Sequence, residues 1–239
     1  MRYILPNRYN LMFPAVWAAY MLLELVLGHS ILEWPNLLIV LFFYFAGCLI
    51  QFAGRGKYAS PQGRYLLYAG IGLVTADQLI KLAVQMTLLE NQMVHILPRL
   101  VNLARVHNLS ASWLAEKFQW QFLAMPLLMA ISIFMLLAVI AIYRYYRGCK
   151  MQHSVWADAG TVLLAAGIAS ALLDQTLRGY TLDFINFPGL FTADIKDICL
   201  TLGIGAVMAE ILRSPLPDVP FREMPSLIAN IIYYNLGRR

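Results

Sequence analysis

Asp174-Gln-Thr-Leu-Arg178-Gly179-Tyr-Thr-Leu-Asp183-Phe184, continuing to Ala193-Asp194-Ile-Lys196-Asp197-Ile-Cys-Leu-Thr-Leu-Gly203, reads as a short loop that sets four aspartates between two long apolar runs, Val155–Leu173 and Ile198–Leu212. The chain around it is poor in charge. Of 239 residues, 60% are hydrophobic and 13% charged, about half the roughly 25% of a soluble domain. Carboxylates at the ends of membrane spans are costly to desolvate, so four in one short stretch point to chemistry.

The other apolar runs are Leu11–Gly28, Leu37–Ala53, Tyr65–Leu89 and Phe122–Tyr143. Each is close to the roughly 20 residues that cross a bilayer. With the two runs flanking the aspartates they predict an all-α polytopic membrane protein of about six transmembrane helices. The first run is read as a retained span rather than a signal peptide, because no small-x-small cleavage site follows Gly28. Pro225–Arg239 is too short and too polar at its end to span, and is expected to be an interfacial helix. Between the third and fourth runs, His95 to Val106 alternates partly with period two, predicting one or two strands at the membrane surface. Trp113, Phe118 and Trp120 suit the headgroup belt.

Lys and Arg gather in the connecting loops 54–64 and 144–154 and at both termini, while the turn 29–36 carries none. The bias places both termini inside, and the strand segment and the aspartates outside. The net charge of +5 comes without a long basic run with interleaved aromatics, so no nucleic-acid partner is expected. Cys48, Cys149 and Cys199 and the four histidines lack metal-ligand spacing. No metal, disulfide framework or other cofactor is expected. Asp77 and Lys81 are four apart in the third run, on one helix face, and are read as a structural ion pair.

Several motifs recur in a fixed order. They are Asp77-Gln-Leu-Ile-Lys81, then Val106-His-Asn108-Leu-Ser110-Ala-Ser112-Trp113, then Ala171-Leu-Leu-Asp174-Gln175…Gly179-Tyr-Thr-Leu-Asp183-Phe184, and last the segment 190–203. From about Gly70 to Gly203 the chain resembles the bacterial lipoprotein signal peptidase, or signal peptidase II, family. The resemblance implies a four-span protease of the bacterial inner membrane, cutting before a cysteine that carries a diacylglyceryl group, with two aspartates and no metal. It divides the chain into an extra two-span segment (1–60), a catalytic domain (61–214) and a cytoplasmic or interfacial tail (215–239). Asp183 corresponds to the first catalytic aspartate. For the second, literal matching of Ala-Asp picks Asp194. The distance to Gly203 picks Asp197 and puts Asp194 where the family has Asn; Asp197 is preferred. Ala171 replaces a family Asn, Gln175 an Arg, and Ser110 and Ser112 replace Gly and Ala, which marks a divergent member. Arg178 is then the candidate for the missing cation. Asn108, Asp174, Arg178 and Gly179 are expected near the substrate.

The chemistry follows from carboxylates alone. Two that share one water cannot both ionise, so one takes a proton from the water and the other donates to the carbonyl oxygen. Read singly, Asp174 is a loop hydrogen-bonder or cap, Asp183 a turn residue, and Asp194 or Asp197 a helix N-cap. The expected partners are a lipid-modified prolipoprotein and membrane lipid, with the enzyme a monomer. The alternatives are a related membrane protease with another lipid-linked substrate, or a non-catalytic transporter or lipid-binding protein using its acids as a relay. A relay spreads acids through membrane depth; here they cluster at one face.

Overall fold

Apolar runs with few charges become helices because only a helix satisfies its own backbone groups within lipid. The computed structural model describes residues 7–26, 34–54, 63–97, 100–109, 125–150, 154–188, 191–214 and 221–237. Its helices are α1 (Met12–Val26), α2 (Trp34–Ala53), α3 (Gly63–Thr87), α4 (Met125–Lys150), α5 (Val155–Leu177), α6 (Ile195–Arg213) and α7 (Met224–Asn235). Three stretches, Gly63–Thr87, Pro126–Gly148 and Val155–Leu177, are long and apolar enough to cross a membrane, and Met12–Leu23 and Leu37–Ala53 are shorter apolar helices. The chain is thus mostly helical.

The β component is larger than the expected strand or two. Strands β1 (Met93–Leu97), β2 (Val101–Asn108), β3 (Thr181–Phe187) and β4 (Phe191–Ala193) form one antiparallel sheet in the order β1-β2-β3-β4. The acidic stretch is therefore not a loop. Asp174 belongs to the last turn of α5, Asp183 lies in β3, and Asp194 caps α6. The basic segment Arg144–Lys150, expected as a connection, instead continues α4. Ser110, Ser112, Trp113, Phe118 and Trp120 lie outside the described residues, as does most of the basic segment 54–64.

Small residues bring the helices together. A Cβ on Gly203 of α6 would sit 2.8 Å from Leu164 of α5, and one on Gly167 would sit 2.8 Å from Leu200. Where lipid gives no hydrophobic drive between helices, close backbone approach is what yields packing energy. On the other side of α6, Phe13 of α1 is fully buried, and a Cβ on Gly47 or Gly205 would collide with its ring. Phe13, Trp17 and Met21 of α1, Ile39 and Phe43 of α2, Trp156 of α5 and Ala206 and Ala209 of α6 make one core. The first two helices are therefore packed onto the rest.

β3 alternates. Leu182 and Phe184 pack with Val84 of α3 and Leu88 just after it, so Thr181 and Asp183 point to the opposite face. β2 runs beside β3 with Val106 opposite Asp183 and Asn108 opposite Thr181, after a register shift between Leu103 and Val106.

Candidate active site

α3 supplies one polar face from its fourth and fifth turns. Lys81 is fully buried, and its Nζ lies 2.7 Å from Asp77 Oδ2, 2.6 Å from Asp174 Oδ2 and 2.6 Å from Asp194 Oδ2. The expected Asp77–Lys81 pair is present, but it is one edge of a larger knot. Ser170 Oγ donates to Asp77 Oδ2. Gln78 Nε2 donates to Asp174 Oδ1 at 3.0 Å, and Arg178 Nη1 donates to Asp174 Oδ1 at 2.9 Å and to Gln78 Oε1 at 2.7 Å. Burying charges is tolerable only when partners of opposite sign and hydrogen bonds replace water. Asp174 meets that condition completely. Its carboxylate is fully buried and committed to Lys81, Gln78 and Arg178, so it does not match the expectation of a substrate contact.

The second knot is at the start of α6. Asp194 is its N-cap: Oδ1 accepts the Asp197 N–H at 3.1 Å, and Asp197 Oδ2 accepts the Asp194 N–H at 3.2 Å. This is a reciprocal cap with Asp in the place usually held by Glu or Gln. Asp194 Oδ2 also accepts from Lys196 Nζ at 2.7 Å, besides Lys81. Lys196, 4% exposed, reaches Asp183 Oδ1 at 3.2 Å and Asp197 Oδ2 at 3.5 Å. Asp183 Oδ2 accepts from Asn108 Nδ2 at 3.0 Å, a diagonal contact across β2 and β3 of the kind long side chains make. Oxygens of Asp183, Asp194 and Asp197 lie within 4.8 Å of one another.

The three acids differ in access. Asp194 is fully buried, whereas the Asp197 side chain is 41% exposed. A cavity of about 220 Å³ is lined by Asn108, Asp183, Lys196, Asp197 and Thr201, with Val16, Trp17 and Tyr20 of α1 closing it. Across both knots, five carboxylates (Asp77, Asp174, Asp183, Asp194, Asp197) face three cations, Lys81, Arg178 and Lys196. Burial pushes the Asp183 carboxyl above the usual carboxylate range; the Lys196 charge opposes this and the Asp194 charge adds to it. For Asp194, burial also disfavours the charge, but Lys196 and Lys81 outweigh it and hold the carboxyl below that range. Each acidic trio has a lysine ammonium among its oxygens, Lys81 in one and Lys196 in the other.

Of the residues expected from sequence, Asp183, Asp197, Asp194 and Asn108 come together. Arg178 turns to Asp174 and Gln78, adding a second cation beside Lys81 in the inner knot. Gly179 has φ +74° in the turn between α5 and β3, a conformation suited to glycine. Lys196, Gln78 and Ser170 were not expected. A lysine between two aspartates, opening an otherwise apolar helix, was the available signal for Lys196.

Residues 70–213 match the family model described as signal peptidase (SPase) II. A curated lipoprotein signal peptidase of Lactiplantibacillus plantarum is 30% identical over 150 residues, covering 60% of this chain and 91% of that protein. One from Allorhizobium ampelinum is 28% identical over 147 residues, covering 59% and 83%. A solved bacterial membrane enzyme shares the fold, with a TM-score of 0.55 and 21% identity over 69% of this chain and 99% of that one.

Proposed function

The chain belongs to the signal peptidase II family, and from that premise we propose a membrane aspartyl endopeptidase that removes the signal peptide from diacylglyceryl-modified prolipoproteins. In this reading Asp183 and Asp197 share a proton over one water. The observation that carries it is that these two side chains, on separate segments, line one cavity beside Asn108.

The partly exposed Asp197 can meet solvent and substrate; Asp194, fully enclosed, serves as helix cap and counter-charge. This supports the register set by Gly203 over the literal Ala-Asp match. The ionised member of the pair takes a proton from water. The protonated member donates to the scissile carbonyl oxygen, and the Lys196 ammonium steadies the negative charge that develops. Asn108, which donates to Asp183 and lines the same cavity, is placed to meet a substrate backbone. Asp174, Asp77, Lys81 and Arg178 form the support beneath.

We place the enzyme in the bacterial inner membrane with α1, α2 and α6 also spanning, both termini cytoplasmic and the site on the outer face. The Lys and Arg distribution supports that orientation. Residues 1–60 are then an added two-span segment and 215–239 a cytoplasmic or interfacial tail.

The test is cleavage of a diacylglyceryl prolipoprotein by the purified full chain and by Asp183→Asn, Asp197→Asn and Asp194→Asn, each with and without chelator. Both Asp183→Asn and Asp197→Asn are expected to abolish turnover without unfolding the protein, and chelator to leave wild-type turnover intact. Retained turnover in Asp183→Asn overturns the pair. Loss in Asp194→Asn with survival in Asp197→Asn reverses the choice of second acid.

A further inference from the structure

A second cavity, of about 340 Å³, adjoins the first, within the roughly 300–1,000 Å³ of ligand sites. Leu38, Ile39, Phe42 and Phe43 of α2 and Trp17 of α1 form one wall, and Ile185 and Phe187 of β3 belong to its remaining lining. The wall from α1 and α2 lies outside the 70–213 family match. Asp197, Thr201, Trp17 and Phe191 line both cavities, so the apolar chamber borders the proposed reaction site. Apart from Asp197 and Thr201, its lining side chains are hydrocarbon or aromatic. Trp17 is 93% buried by its 7% exposure, and its indole Nε1–H finds no acceptor among the described residues.

We propose that α1 and α2 build a slot for one acyl chain of the substrate's diacylglyceryl group, with the Trp17 indole N–H donating to that chain's ester carbonyl. The proposal rests on the function proposed above. A peptide segment does not fit, because its N–H and C=O groups would meet almost no partners on these walls. A hydrocarbon tail needs none. The tail arrives from lipid, so it moves between two apolar surroundings; selectivity comes from fit and from the ester hydrogen bond rather than from water exclusion. The presence of Asp197 in the chamber's lining argues for the substrate's own chain over that of a bystander phospholipid.

The first experiment needs no variant. A dipalmitoylglyceryl thioether peptide with a mid-chain diazirine is photolysed on the purified full-length protein, and labels are mapped by mass spectrometry. Labels are expected on α2 around Leu38–Phe43, displaced by unlabelled diacylglyceryl peptide but not by equimolar phosphatidylglycerol. Labels only on lipid-facing α4, or equal displacement by phospholipid, overturn the slot. The second experiment compares dioctanoyl and dipalmitoyl prolipoprotein peptides. Leu38→Trp, which narrows the chamber, is expected to lower the long-to-short ratio of kcat/KM about tenfold. Trp17→Phe is expected to lower kcat/KM about 2- to 10-fold on ester-linked chains, with a smaller change on ether-linked ones. Unchanged ratios in both variants overturn the proposal. No turnover by wild-type protein at any chain length instead overturns the peptidase reading, and the labelling pattern still decides the slot.

Discussion

Replacing Lys196 by methionine removes the cation from among Asp183, Asp194 and Asp197 while keeping a side chain of similar length. Its Nζ lies 3.2 Å from Asp183 and 3.5 Å from Asp197. An opposite charge within about 4–6 Å lowers a carboxyl pKa by roughly 1–3 units. Taking that charge away therefore raises the proton affinity of the pair. The sign of the effect on activity follows. In the proposed mechanism turnover needs one proton on the Asp183–Asp197 pair, so it fails on the alkaline side when that proton leaves and on the acid side when a second one binds. Both limbs are expected to move up in Lys196→Met, by about 1–3 pH units. The assay is kcat/KM for a fluorogenic diacylglyceryl peptide across pH in one detergent, with Lys196→Arg as the charge-retaining control. Breaking a buried pair also costs about 3–5 kcal/mol, so thermal melting is followed in parallel. A lower but unshifted pH profile in Lys196→Met, or an equal shift in Lys196→Arg, refutes the electrostatic reasoning and leaves Lys196 a packing residue.

Asn108→Ala removes the 3.0 Å hydrogen bond to Asp183; kcat/KM is expected to fall about tenfold with a smaller loss of stability, read by initial rates and melting. Gly203→Val drives a Cβ to within 2.8 Å of Leu164 Cγ and 3.0 Å of its backbone N, and should cost about 1–3 kcal/mol or more, seen as a lower Tm in detergent. Lys81→Met leaves Asp77, Asp174 and Asp194 without their common cation and is expected to reduce folded yield in size-exclusion chromatography, by the same few kcal/mol.

The helices were legible because their signal is local: runs such as Tyr65–Leu89 carry it in composition alone. β1 and β2 announced themselves through alternation. β3 also alternates, as Thr181-Leu-Asp-Phe184, but the cluster of acids drew the reading toward a loop. Only the neighbours show why an aspartate sits in a buried strand: Leu182 and Phe184 face α3 while Asp183 faces Lys196 and Asn108. Arg144–Lys150 read as a connection because it is charged and aromatic; Tyr143 and Tyr146 instead find Asp158 and Glu210 on α5 and α6. The candidate acids were legible as a set, through their order and spacing. The distance to Gly203 already favoured Asp197 over Asp194, but the enclosure of Asp194 by Lys81 and the α6 cap was not legible, since it depends on the tertiary fold. Lys196 went unnoticed for the same reason: a lysine's partners are set by the tertiary fold.

The inner knot bears on how the protein is made. Asp77 and Asp174 face Lys81 and Arg178, two charges of each sign, all supplied by α3, α5 and the residue just after α5. Charge balance at that level is complete before Asp194 leaves the ribosome. A nascent chain can thus rest in the bilayer with the charges of this knot balanced while the segment from Asp194 onward is still being translated. On the proposed reading, the later arrival of Asp194, Lys196 and Asp197 completes the reaction site, so hydrolytic competence comes only with α6.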